Sequence, residues 1–252
     1  MDPQFLLQRL DEIGQALERS GHALALIGLG SVGLELDRID SYSDLDFFVI
    51  VEAGYKRDYV DSLGWLSNIH PVAYSFLNTD DGYKLLYEDG IFCEFAVFEP
   101  DELQTIPFAP GRIIWKRADI PDAVARPASP PAARSRRSKE WLLGEALTNL
   151  YVGLNREKRG EGLSATRFIQ GYAVDRVVEL VEYIASAGQA HRDPYVNERR
   201  FEQRFPSLAH EVRSWMQGYD KNCESALAIL AFLEEHFEVN EVIEKAIREL
   251  CT

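Results

Sequence analysis

Asp44 and Asp46 stand one residue apart in ALALIGLGSVGLELDRIDSYSDLDFFVIV, twelve residues after the pair Gly30-Ser31. Side chains at i and i+2 of a strand point to the same face, roughly 6.5–7 Å apart. Two carboxylates so placed can bracket a pair of divalent cations, which in phosphoryl-transfer sites lie about 3.5–4 Å from each other. Glu94 is a third acid, and between Ile91 and Phe98 it is the only charged residue. Phe92, Glu94, Ala96 and Phe98 would share one face of a strand, with Ile91, Cys93, Phe95 and Val97 on the other. A single acid among apolar neighbours suits a walled site better than a solvated face. Other readings are open: Asp44 could cap the loop Asp40-Ser41-Tyr42-Ser43, Asp46 could face solvent, and Glu94 could be an edge-strand charge that deters aggregation.

Several elements are needed to bring these groups together. The spacing predicts a helix over 3–19, a strand over 22–28, a helix over 31–36, a strand over 45–51, a helix over 55–68 and a strand over 71–77. Gly30 would let backbone approach a phosphate closely. Ser31 would offer its hydroxyl and N–H at the start of the following helix, where the dipole favours anions. Tyr83 to Glu88, Asp89-Gly90, then Ile91 to Phe98 reads as a hairpin, because Asp-Gly is a favoured two-residue connection. A short element follows at Ile113–Trp115.

From about residue 138 the pattern is helical throughout. Trp141-Leu142, Ala146, Leu150 and Leu154 form one stripe; Ile169, Tyr172-Ala173, Val177, Leu180 and Ile184 form another; Ala226, Ile229-Leu230, Leu233 and Phe237 form a third. Gly160-Glu161-Gly162 breaks the first two helices, with Ser164 as the expected N-cap. Lys158 and Arg159 close the first helix. There they either compensate its dipole or serve as triphosphate ligands. The fold class expected is therefore α+β: a catalytic domain over 1–117 with a mixed sheet flanked by helices, a linker over 118–137, and an all-α bundle over 138–252.

Composition narrows the function. With 46% apolar residues in 252, the chain can bury a real core. A net charge of −14 argues against a general nucleic-acid binder, which gains affinity from a basic face. One segment departs from this: Arg112 to Lys139 holds eight basic residues against Asp119 and Asp122. It reads either as a solvated linker or as a strap facing phosphate. The N-terminal MDPQFLLQRLDEIGQALERSG lacks a basic start and an unbroken apolar run, and no stretch reaches membrane-spanning length, so no membrane association is expected. Cys93, Cys223 and Cys251 are widely separated and form no CxxC; the expectation is a reducing cytoplasm, without structural zinc or a disulfide framework. The five histidines show no metal spacing.

Gly-Ser, a spacer, Asp-x-Asp on a strand and a later acidic strand resemble the nucleotidyltransferase superfamily of the DNA polymerase β type. GSVGLELDRIDSYSDLDFFV, EFAVFEPDELQTIP and LNREKRGEGLS resemble, in order, segments of the lincosamide and aminoglycoside (antibiotic) nucleotidyltransferases. That resemblance implies transfer of a nucleoside monophosphate from a Mg²⁺-bound nucleoside triphosphate to a small-molecule hydroxyl, with release of pyrophosphate. It further implies Asp44 and Asp46 as holders of the ions, Glu94 as a metal ligand or general base, and, by analogy, a homodimer. The alternatives are a protein or RNA acceptor, or a non-catalytic binding module on the same scaffold.

Overall fold

The computed structural model describes residues 2–129, 136–190, 192–193 and 196–252. The chain divides into two compact units, 1–132 and 133–252.

In the first unit, helix α1 (Pro3–Ser20) starts on Asp2, whose carboxylate accepts from Gln4 N–H, and ends at Gly21, where φ is +92°. Leu6, Leu10, Ile13 and Leu17 recur at helical spacing and are all buried. Each contributes about 2 kcal/mol relative to an exposed side chain. Strands β1 (Ala23–Gly28), β2 (Leu45–Val51), β3 (Val72–Thr79), β4 (Gly82–Tyr87), β5 (Phe92–Phe98) and β6 (Arg112–Lys116) form one six-stranded sheet in the order β3-β4-β5-β2-β1-β6. β2 and β5 are parallel and every other pair is antiparallel, so the sheet is mixed. Leu45, Phe47, Val49, Cys93, Phe95 and Val97 share one buried cluster with Leu6, Leu10, Ile13 and Leu17 of α1. On the opposite face Ile50 and Phe98 meet Leu103, Phe108 and Ala125, with Phe48 and Ala96 packed against them.

Several expectations about local structure need correction. No α-helix forms over 31–36; two 3-10 turns, Gly30–Val32 and Leu36–Arg38, stand there. The helix expected over 55–68 is two short ones, α2 (Lys56–Val60) and α3 (Gly64–Ser67), with Trp65 Nε1 donating to the Tyr59 carbonyl across the break at 3.1 Å. The hairpin loop spans residues 88–90 rather than two: Tyr87 N–H donates to the Ile91 carbonyl, and Gly90 takes φ +88°. That extra residue sets Lys84 opposite Glu94. Within the stretch read as linker, Ala125 is buried in the first unit's second apolar cluster, with Ile120 and Val124 packed against it. Residues 130–135 lie outside the described residues.

The second unit is helical. Helix α4 (Lys139–Lys158) is capped by Ser138, which accepts from Trp141 N–H. A continuous helical run follows through α5 (Gly162–Thr166), a π-helical stretch (Arg167–Ala173) and α6 (Val174–Ile184). α7 (Phe201–Arg204), α8 (Val212–Trp215), α9 (Asn222–His236) and α10 (Glu241–Leu250) complete the unit. Leu150, Leu154, Ile169, Val177, Leu180 and Ile229 are fully buried in its core. Ser164 is not the cap: α5 begins at Gly162, and Ala165 N–H already reaches the Glu161 carbonyl. Trp141, placed in the first apolar stripe, is 44% exposed and carries Arg137 over its ring instead.

Candidate active site

β1 runs antiparallel to β2, so its C-terminal end delivers Gly30 to the beginning of β2. Leu29 N–H donates to the Asp46 carbonyl at 2.8 Å, which fastens the turn to that strand. Gly30 sits at φ +53°, in the region that disfavours a side chain. A Cβ there would lie 3.4 Å from Asp46 Oδ2 and 3.8 Å from Arg38 Nη2. The Gly30 carbonyl accepts from Gly33 and Glu35, and Arg112 Nε donates to the Val32 carbonyl at 3.1 Å, so the turn is held from both sides. Ser31 is buried at 7% exposure. The turn it belongs to is only three residues long, so the helix dipole expected to favour anions at Ser31 is not built. What the turn offers is close backbone approach.

Asp46 and Glu94 are register partners on the parallel strands β2 and β5, which sets their side chains side by side on one face. Behind them on that face come Phe48 and Ile50 on β2 and Ala96 and Phe98 on β5, so the acids stand at the open end of an apolar floor. Asp44 precedes β2 by one residue and is half-buried. Both aspartates act on the Cys93 thiol: burial pushes its ionisation up, Asp44 and Asp46 add to that, and Arg9 opposes it.

The backbone gathers the acids, but the carboxylates turn to different partners. Asp46 Oδ2 lies against Gly30, on the β1 side of β2. Glu94 points the other way, to Lys84 Nζ on β4 at 3.1 Å, with Asn78 Nδ2 at 3.5 Å from its second oxygen. Among the described residues no group of three or more His, Cys, Asp or Glu side chains is arranged to hold a metal ion. Lys158 and Arg159 are exposed at the C-terminal end of α4, in the second unit. His191 and Arg134 lie outside the described residues.

Two cations at the site were not singled out from the sequence, Arg38 and Lys84. Lys84 was within reach of the pattern: a three-residue hairpin loop, rather than two, pairs it with Glu94. Arg38 is brought over the Gly30 turn by the second 3-10 turn and is tied there to Glu35, an arrangement that residue spacing does not announce.

No family model matches the chain, and no curated protein does. Among solved structures, the chain is similar to an aminoglycoside 6-adenyltransferase from Bacillus subtilis, at 13% identity and TM-score 0.35, over 97% of this chain and 90% of that one. It is likewise similar to a nucleotidyltransferase-like protein from Exiguobacterium sibiricum 255-15, at 13% identity and TM-score 0.35, over 97% of this chain and 79% of that one. Likeness this slight leaves the site to be read from its own geometry. Among the described residues, no helix is long and apolar enough to cross a membrane.

Proposed function

We propose that the protein is a nucleotidyltransferase that moves a nucleoside monophosphate from a nucleoside triphosphate to the hydroxyl of a small molecule and releases pyrophosphate. The observation that carries this reading is Asp46 in register with Glu94 on parallel strands, with the left-handed Gly30 against the Asp46 carboxylate. A phosphate chain can approach backbone at that turn, beside carboxylates suited to its counter-ions.

Mg²⁺ is commonly held by one or two carboxylates, with substrate phosphates and water supplying the other ligands. Asp44 and Asp46 fit that description without a third protein ligand. When bound, the ion would neutralise charge on the triphosphate. The remaining work falls to this chain's own groups, since positioning and electrostatics supply most of the catalysis in such transfers. Backbone at Gly30 and Ser31 would seat the phosphate chain, and the Arg38 guanidinium beside the turn would offset its charge. Glu94 would take the proton from the acceptor hydroxyl. Its engagement by Lys84, away from Asp46, supports a role outside the ion's ligands. The net charge of −14 favours a small acceptor over a nucleic acid.

The test is incubation with Mg²⁺ and ATP or GTP across a panel of hydroxylated compounds, aminoglycosides and lincosamides among them, read by mass spectrometry. The expected result is one acceptor gaining the mass of one nucleoside monophosphate while pyrophosphate is released. Transfer that survives Asp46→Asn unchanged would overturn the proposal. Label on the protein itself, with none on any small molecule, would move the acceptor to a macromolecule.

A further inference from the structure

The helical unit contains a cavity of about 250 Å³ lined by Arg136, Arg137, Arg176 and Arg192, with Glu179 and Glu182 between them. Guanidinium groups outnumber carboxylates two to one around it, in a chain whose net charge is −14. The carboxylates are already divided. Glu179 serves Arg176 at 3.3 Å and Arg137 at 3.7 Å; Glu182 serves the buried Arg204 at 2.5 Å and Arg192 at 3.4 Å. Arg136 donates to the backbone carbonyl of Glu182 at 2.8 Å. The Nε of Arg176 is a buried donor without a hydrogen-bond partner among the described residues.

These side chains are also braced. The Arg136 guanidinium lies 3.8 Å over the Tyr183 ring, and that of Arg137 lies 4.5 Å over Trp141. Tyr183 in turn donates its hydroxyl to the Arg137 carbonyl. Stacked guanidinium forks lose less freedom when they bind, and their planar donors match phosphate oxygens. A carboxylate occupies one fork, whereas tetrahedral phosphate oxygens can accept from several forks arranged around them.

We propose that this cavity binds a small phosphate anion carrying two or more charges, whether inorganic phosphate, pyrophosphate or the phosphate chain of a nucleotide. The inference is independent of nucleotide transfer at Asp46, because every residue it uses belongs to the second unit.

The test is calorimetric titration of the whole protein in EDTA, at ionic strength fixed with sodium chloride, with inorganic phosphate, pyrophosphate, ATP and citrate in turn. EDTA removes the divalent ions that would join phosphate to the acidic site, and the double variant below separates any binding left at the Gly30 turn from binding at these arginines. Saturable binding of at least one phosphate compound is expected, tighter than citrate. Arg136 is exposed and the Arg192 side chain is 53% exposed, so Arg136→Gln with Arg192→Gln should fold normally, checked by thermal unfolding in chloride. That double variant should bind the same anion more weakly, by roughly tenfold or more. The ranking among phosphate, pyrophosphate and ATP identifies the source. No saturable heat, equal affinity in the folded double variant, or preference for citrate would overturn the proposal.

Discussion

Replacing Gly30 by alanine separates two roles that one residue is asked to play. The added Cβ would meet only Asp46 Oδ2 at 3.4 Å and Arg38 Nη2 at 3.8 Å, ordinary contacts that require no repacking. The cost to stability therefore comes from φ +53°, where a side chain is disfavoured by about 1–2 kcal/mol. Alanine also restricts the unfolded chain, which returns about 0.4–1 kcal/mol. The net loss expected is about 1 kcal/mol, or a fall in Tm of roughly 4 °C for a unit of this size. Gly21, at φ +92° with nothing within 4 Å of a Cβ, is the control: Gly21→Ala should lose comparable stability and nothing else. Binding of ATP and GTP is then measured with and without Mg²⁺. In Gly30→Ala the Mg²⁺-dependent part should weaken well beyond what the stability loss explains, because the methyl group fills the space beside Asp46 where phosphate would approach. Equal Mg²⁺-dependent affinity in wild type, Gly21→Ala and Gly30→Ala would refute the reasoning.

Other substitutions test other links. Glu94→Gln should lower turnover by roughly a hundred- to ten-thousand-fold while nucleotide affinity holds, as expected for loss of a general base; affinity and rate falling together would make Glu94 a ligand instead. The same change breaks the half-exposed Lys84 pair, worth ~0.2–1 kcal/mol, so urea unfolding should barely move. Tyr87 Oη is buried without a hydrogen-bond partner among the described residues, and burial, opposed only in part by Arg9, pushes its ionisation well above the ordinary value. Above about pH 10 the unfolded chain would shed this proton while the folded chain keeps it, so stability falls as pH rises. Tyr87→Phe should remove that part of the alkaline loss and cost little at neutral pH; identical pH–stability curves would contradict it. In the second unit, buried Gln170 donates to the Gly218 carbonyl at 2.7 Å and to Asn222 Oδ1 at 2.8 Å, and accepts from Gly218 N–H at 2.9 Å. Gln170→Leu orphans those groups and should cost about 3 kcal/mol by urea unfolding; a loss under about 1 kcal/mol would show that water replaces the side chain.

Much of the sheet was legible because its signals are local. β2 and β5 alternate buried and half-buried residues over their first five positions, and the lone acids on them mark the open end of one face. The helical half was equally plain from stripes such as Leu150, Leu154, Ile169 and Val177. Connections were harder. Residues 31–36 contain Gly33, whose φ of −91° and ψ of −122° leave the helix, and the length between Gly33 and Asp37 is too short to start another. Asp89-Gly90 suits a two-residue turn, and only the observed register, Tyr83 with Phe95 and Lys84 with Glu94, reveals Gly90 as the end of a longer loop. Side-chain direction was least legible of all. Asp46 and Glu94 share a face as the alternation implies, yet where each carboxylate leans depends on Gly30 and Lys84, which belong to other strands and turns.

The most direct measurement of the central claim is paramagnetic broadening of amide signals by Mn²⁺, which carboxylate sites accept in place of Mg²⁺, in the presence of ATP or GTP. Broadening is expected first at Gly30, Ser31, Leu45, Phe47 and Phe95, and Asp46→Asn should abolish it there. Broadening centred elsewhere, or left intact by Asp46→Asn, would contradict the assignment of this turn and these acids as a metal–nucleotide site.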